Sequence, residues 1–276
     1  MKATCFWLIS LVTLLWSASP AMPGAVNLRY GFAPGQQWEC TRMSRMTFMV
    51  MGKKQTQQQR HTLLYTVSKG PKKDWVHLTA RYINPPAKTD ENKYALGQYD
   101  FTFTADVHTS GDIRNVAVTG VDQVMQDPSL GPQEKTALLQ SNKIMAESLK
   151  PSVFWFPELP EEALLPGDEF EDKRTHGFKD PNMTSSTQTR KVFVLEDVSE
   201  GLAYFSTKER HATKMSSMGG EMNGSATGKG EIIFDLKEGM WIELTTQSKM
   251  SFSGAMMGSG ENQDMIITEK VVLHRR

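Results

Sequence analysis

From Pro34 to Val118, and again from Pro166 to Leu244, the chain runs one course twice, and this repetition constrains the fold more than any other feature. The first pass reads PGQQWECTRMSRM, then QQQRHTLLYTVSKGPKKDWVHLTARY, then DFTFTADVHTSGDIRNVAV; the second reads PGDEFEDKRTHGF, then TQTRKVFVLEDVSEGLAYFSTKER, then GEIIFDLKEGMWIEL. Pro34 matches Pro166, Trp75 matches Leu202, Asp106 matches Asp235 and Gly111 matches Gly239, at offsets of 132, 127, 129 and 128 residues. Order and spacing are both kept, with too few copies and too long a period for a solenoid. An internal duplication is expected.

Each pass alternates apolar and polar residues over long runs and is rich in β-branched residues, the pattern of half-buried strands. Phe101, Phe103, Ala105 and Val107 fall on one strand face, Thr102, Thr104 and Asp106 on the other. Ser110-Gly111-Asp112 and Lys237-Glu238-Gly239 reverse the chain where glycine accepts positive φ. The preceding aspartates are expected to bond turn amides. The fold class is therefore mainly β, with antiparallel meanders in two duplicated halves, residues 26–120 and 166–276.

Residues 121–165 break the pattern. Leu138, Leu139, Ile144, Met145 and Leu149 fall near helical spacing behind Gly131-Pro132, and proline suits a first helical turn. One helix is expected there, ending at Lys150-Pro151 and followed by an aromatic, proline-rich strap from Val153 to Asp168. A helix with one apolar stripe has to lie against something, so helix and strap are expected to cross the two half-sheets. The expected architecture is a curved, half-open barrel or two packed sheets, with one helix between the halves.

The chain opens with Lys2, a 14-residue apolar run from Ala3 to Trp16, and small residues up to Ala21. That is the form of a secretory signal peptide, residues 1–21, with cleavage as late as residue 25. A membrane span needs about 20 apolar residues, so the expected protein is exported, periplasmic or extracellular, and not membrane-spanning after cleavage. Cys5 would leave with the leader. Cys40 would remain as a lone thiol, expected to be a small buried hydrophobe.

Lys plus Arg and Asp plus Glu both number 31. No basic stripe emerges along the sequence, so nucleic acid and anionic membrane surfaces lack their electrostatic argument. Asn182-Met183-Thr184 and Asn223-Gly224-Ser225 match the glycosylation sequon, which acts only in a host that glycosylates secreted proteins. No H-E-x-x-H, C-x-x-C, G-x-S-x-G or S-x-x-K occurs, so no catalytic residue is assigned and a non-enzymatic role is expected. GSATGKGE, Gly224 to Glu231, resembles a phosphate loop. It has three residues between its glycines, lacks the magnesium-binding hydroxyl and leads into a strand, so a flexible hairpin connection is expected. His61 and His77 lie on neighbouring strands, where surface or core neighbours are commoner than a metal pair. No metal site or cofactor is expected.

Methionine is the residue type left to explain. Met43, Met46, Met49 and Met51 crowd one strand end, with counterparts at Met215, Met218 and Met222 and at Met250, Met256 and Met257. Met43, Met49 and Met51 share one face and Met46 the other. Packing is the first expectation, an adaptable apolar groove the second and Cu(I) binding the third. Met43, Met49 and Met51, with Phe154, Trp155 and Phe156 of the strap, are the candidate residues for an apolar, lipid-like ligand. The alternative is a structural module that offers strand edges to an envelope protein partner.

Three features carry a resemblance to an uncharacterised family of bacterial secreted β-rich proteins, a domain of unknown function. They are Leu28-Arg29-Tyr30-x-Phe32-x-Pro34-Gly35, the Met51-Gly52 turn before QTQQQ, and the block from Met215 to Ser251. The resemblance spans nearly the whole chain after the leader and brings no catalytic residues. The insert from Gly120 to Leu165 departs from the family's run. At the level of fold alone, the expected half-open barrel is similar to periplasmic lipoprotein and lipid carriers.

Overall fold

In the computed structural model, residues 24–50, 53–83, 101–180, 183–217, 220–254 and 263–276 are described. The alternating segments form eleven strands: β1 Gln37–Val50, β2 Lys53–Lys69, β3 Trp75–Ile83, β4 Thr102–His108, β5 Ile113–Thr119, β6 Glu169–Asp180, β7 Met183–Ser199, β8 Leu202–Ser217, β9 Gly220–Asp235, β10 Met240–Gly254 and β11 Gln263–Arg275. All pairings are antiparallel, in one sheet ordered β5-β4-β3-β2-β1-β11-β10-β9-β8-β7-β6. The result is a single curved sheet, mainly β and not closed, rather than two packed sheets. The join is β11, which pairs with β1 so that Cys40 lies opposite both Leu273 and Leu63.

The two open edges are β5 and β6, and the chain between them forms the helix α1, Pro132–Val153. Pro132 takes the first position, and Glu134 accepts a hydrogen bond from the Gly131 amide at 2.9 Å. The helix passes through Pro151 to Val153, further than the expected stop at Lys150-Pro151. A proline in the last turn removes one hydrogen bond at the frayed end. As expected, α1 packs on both edges, β5 and β6.

Several positions paired in the sequence can be placed in the sheet. Gly35 and Gly167 both turn at positive φ, 92° and 96°, and each donates its amide to the neighbouring strand, to the Val67 carbonyl at 2.9 Å and the Leu195 carbonyl at 2.7 Å. Trp75 opens β3 and Leu202 opens β8. The aspartates differ. Asp235 accepts from the amides of Lys237 and Glu238, both at 2.9 Å, as expected of a turn residue. Asp106 instead takes side-chain bonds from His77 at 2.8 Å and Asn115 at 2.7 Å, because it faces out from a strand rather than into a turn.

One face of the sheet wraps the core. Trp38, Cys40, Tyr65, Leu78, Phe103, Phe193, Phe205, Phe234 and Trp241 are each at most 2% exposed. Phe101, Phe103, Ala105 and Val107 are all buried, as their spacing requires. The lumen at this level is plugged by two segments, the first carrying Leu28, Tyr30 and Phe32 and the second Phe154, Phe156 and Leu159. Buried hydroxyls fix the plug. Tyr65 donates to the Val153 carbonyl at 2.6 Å; Tyr30 donates to the Pro157 carbonyl at 3.0 Å and accepts from Trp241 Nε1 at 2.7 Å. Gly31 and Gly239 let the plug touch the β9–β10 turn: a Cβ on Gly239 would lie 2.4 Å from the Gly31 nitrogen.

Candidate functional site

Above the plug the strands continue, and alternation dictates what their inner face carries, because every second residue points the same way as the core. The first layer is polar. Arg42 on β1 pairs with Glu269 on β11 at 2.9 Å, Arg174 on β6 with Asp172 at 3.0 Å, and Lys191 on β7 with Glu209 on β8 at 3.3 Å. These three ion pairs balance each other. Arg174 also donates to the Phe156 carbonyl, which ties the belt to the plug.

Glu209 is the centre of the belt. Burial pushes its carboxyl up, but His211, the Lys191 charge and the Ser248 hydroxyl outweigh burial and bring it down to about 2. Ser248 belongs to β10, two strands away, and donates to Glu209 across β9. The crossing explains the glycines of GSATGKGE. A Cβ on Gly228 would lie 2.4 Å from Ser248 Oγ and 2.6 Å from Glu209 Oε1. The segment lies within β9, not in the expected hairpin connection, and its glycines make room for a carboxylate–hydroxyl bond. Burial lowers the pKa of His61 and His176, with Arg42 adding to the first and His211 and Arg174 to the second. Both imidazoles are therefore neutral at pH 7.

The second layer is apolar. Register brings Phe48, Met265 and Met250 side by side on β1, β11 and β10, puts Met46 beside Ile267, and sets Met215 against Met222 on β8 and β9. All of these side chains are half-buried. Together with Phe252 they form a methionine- and phenylalanine-rich rim on the inner face near the strand ends. Two cavities of about 660 Å³ adjoin these layers: one at the β5–α1–β6 seam, touched by Val116, Glu147, Phe154 and His176, and one along β6 to β9, touched by Arg174, Thr189, His211 and Ala226.

Met46, Met215, Met222 and Met250 belong to this rim, but the methionines singled out for a ligand do not. Met43 and Met49 are 38% and 51% exposed. Trp38 and Cys40 face the core, so the odd-numbered positions of β1 face out. Strand parity puts Met43 and Met49 on one face and Met46 on the other, and it is Met46 that points in. Met51 lies outside the described residues. Phe154 and Phe156 are buried in the plug at 2% and 1%, and Trp155 packs beside them half-buried; Phe156 is enclosed by Tyr30, Phe32 and Tyr65. The strap is core before it is a ligand wall.

His61 packs on Tyr82 on the inner face, and His77 faces out to Asp106. The two are on opposite sides of the sheet, and among the described residues no group of three or more His, Cys, Asp or Glu is placed to hold a metal. Cys40 is 1% exposed, and burial pushes its thiol up to about 11. No described helix is long and apolar enough to cross a membrane.

No protein-family model matches the chain, and no curated protein matches it. Among solved structures, the β domain of the Bordetella autotransporter BrkA overlaps with a TM-score of 0.39 at 10% identity, over 87% of this chain and 99% of that one. A putative exported protein with a YmcC-like fold from Bacteroides fragilis overlaps at 0.30 and 11% identity, over 91% and 100%. The attachment invasion protein Ail of Yersinia pestis overlaps at 0.19 and 8% identity, over 88% and 100%.

Proposed function

We propose that this protein is a non-enzymatic component of the cell envelope, exported by its leader, that holds an amphipathic, lipid-like molecule against the inner face of its sheet. The observation that supports this reading is the order of layers on that face. A filled aromatic plug closes one end, a charge-balanced polar belt lies above it, and a rim of Met46, Phe48, Met215, Met222, Met250 and Met265 lines the rest. Methionine suits an apolar surface that adapts to its occupant, and a belt whose ion pairs cancel suits a polar but weakly charged head group.

Native mass spectrometry of the protein purified from its own envelope tests the reading. Bound lipid is expected in the wild type, less of it in Met250→Glu and Met265→Glu, and an unchanged amount in Met43→Glu, whose side chain faces out. Protein that is empty in all four preparations refutes it. A single stoichiometric protein in a crosslinked pull-down would favour the alternative of an interaction module.

A further inference from the structure

The outer face of the same sheet gathers charge that the sequence disperses. Successive rows across the strands read Lys173–Arg190–Arg210–Thr227–Lys249 and Lys208–Lys229–Gln247–Thr268–Arg45, and Lys270–Met43–Arg60 follows on β11, β1 and β2. The acids on this face include Glu171, which pairs with Lys173 and Arg190, Asp264 with Lys249, and Glu243 with Lys270. Glu231 also lies here. Arg45, Arg60, Lys208, Arg210 and Lys229 are exposed and form no ion pair among the described residues.

Two pairings set like charges directly opposite each other, Lys208 with Lys229 and Arg190 with Arg210. Such pairs weaken a sheet, so folding alone does not account for them. The chain is formally neutral, and the compensating acids include Glu161, Glu162, Glu196, Asp197 and Glu200, exposed near the plugged end.

The basic face is also where apolar side chains emerge. Of the five large exposed hydrophobics among the described residues, Met43, Met49 and Ile266 lie here, on β1 and β11. Met43 stands opposite Lys270 and Arg60, and Ile266 opposite Lys249. Cations interleaved with apolar side chains suit a surface that is anionic outside and hydrocarbon beneath. A nucleic acid or an anionic glycan would use the cations and leave the apolar residues in water. Burial of this face in hydrocarbon is excluded, because a lipid-facing Lys or Arg at mid-depth is strongly unfavourable.

We infer that the outer face of β8 to β2 is a peripheral docking surface for an anionic lipid bilayer, with Arg45, Arg60, Lys208, Arg210 and Lys229 as its electrostatic contacts and Met43, Met49 and Ile266 as shallow apolar anchors. This inference is independent of the inner-face ligand, since an empty lumen would leave the outer face intact. The test is co-sedimentation of the mature chain with phosphatidylglycerol–phosphatidylethanolamine vesicles and with phosphatidylcholine vesicles, beside heparin and duplex DNA binding. The expected result is salt-sensitive binding to the anionic vesicles only. It should weaken about fivefold for each of Arg45→Gln, Lys229→Gln and Arg210→Gln, and several-fold in Met43→Ser with Ile266→Ser, with thermal midpoints unchanged. Failure to bind anionic vesicles, or equal binding to heparin or DNA with indifference to the Met43 and Ile266 changes, overturns the inference.

Discussion

Replacing Gly228 by alanine should destabilise the protein although it adds only a methyl group and removes a flexible residue. In a strand, Gly→Ala on its own is favourable by roughly 0.5–1 kcal/mol. Here the new Cβ would stand 2.4 Å from Ser248 Oγ and 2.6 Å from Glu209 Oε1. Ser248 and Glu209 would have to part, ending a hydrogen bond to a buried carboxylate worth about 1.5–3 kcal/mol. The net expected loss is about 1–2 kcal/mol, or roughly 2–8 °C in Tm for a chain of this size. Urea and thermal unfolding followed by circular dichroism measure it, and Ser248→Ala supplies the decisive comparison. With the hydroxyl gone, much of the clash and all of the bond are gone too, so Gly228→Ala should cost clearly less in that background. A neutral or stabilising Gly228→Ala, or strictly additive effects in the double variant, would refute the assignment of the β9 glycines to this crossing.

Acid should act through the same carboxylate. Glu209 titrates near 2 in the folded protein against 4.5 as its ordinary value, so its stabilisation is complete above pH 4.5 and is lost as pH falls toward 2. That is on the order of 3 kcal/mol, and Glu209→Gln should flatten this limb of the stability–pH curve. Met46→Ala, on the inner face, should cost about 1–2 kcal/mol, while Met43→Ala and Met49→Ala should stay within about 0.5 kcal/mol; Cu(I) titration of the same variants should detect no tight binding, and tight binding lost in them would revive the copper reading. Tyr30→Phe removes both the acceptor for Trp241 Nε1 and the donor to the Pro157 carbonyl, so chemical denaturation should register a loss of about 2–4 kcal/mol. Cys40, buried and titrating near 11, should resist iodoacetamide at pH 8 until the protein is unfolded; rapid labelling of the native state would contradict its placement.

Local pattern determined much of this molecule. Alternation marked the strands, Pro34-Gly35 and Pro166-Gly167 marked matching turns, and Pro132 with the apolar spacing from Leu138 to Leu149 marked the helix, because each of these signals acts over a few residues. That Met43 and Met49 share a face opposite to Met46 also follows from strand parity. Which face is inside does not. It depends on Trp38 and Cys40 meeting Tyr65, Leu273 and the plug, contacts made between residues far apart in the chain. The inner rim, the belt around Glu209 and the outer rows of lysine and arginine share this property. Each takes one or two residues from several strands, so none forms a run along the chain, and the basic stripe that the sequence does not display appears once β8, β9, β10, β11, β1 and β2 are set side by side. The single sheet in place of two rests on one further long-range event, the pairing of β11 with β1, whose partners lie more than 200 residues apart; strand propensity says only that both segments will pair, and the edge that each finds is decided by the packing of the whole core.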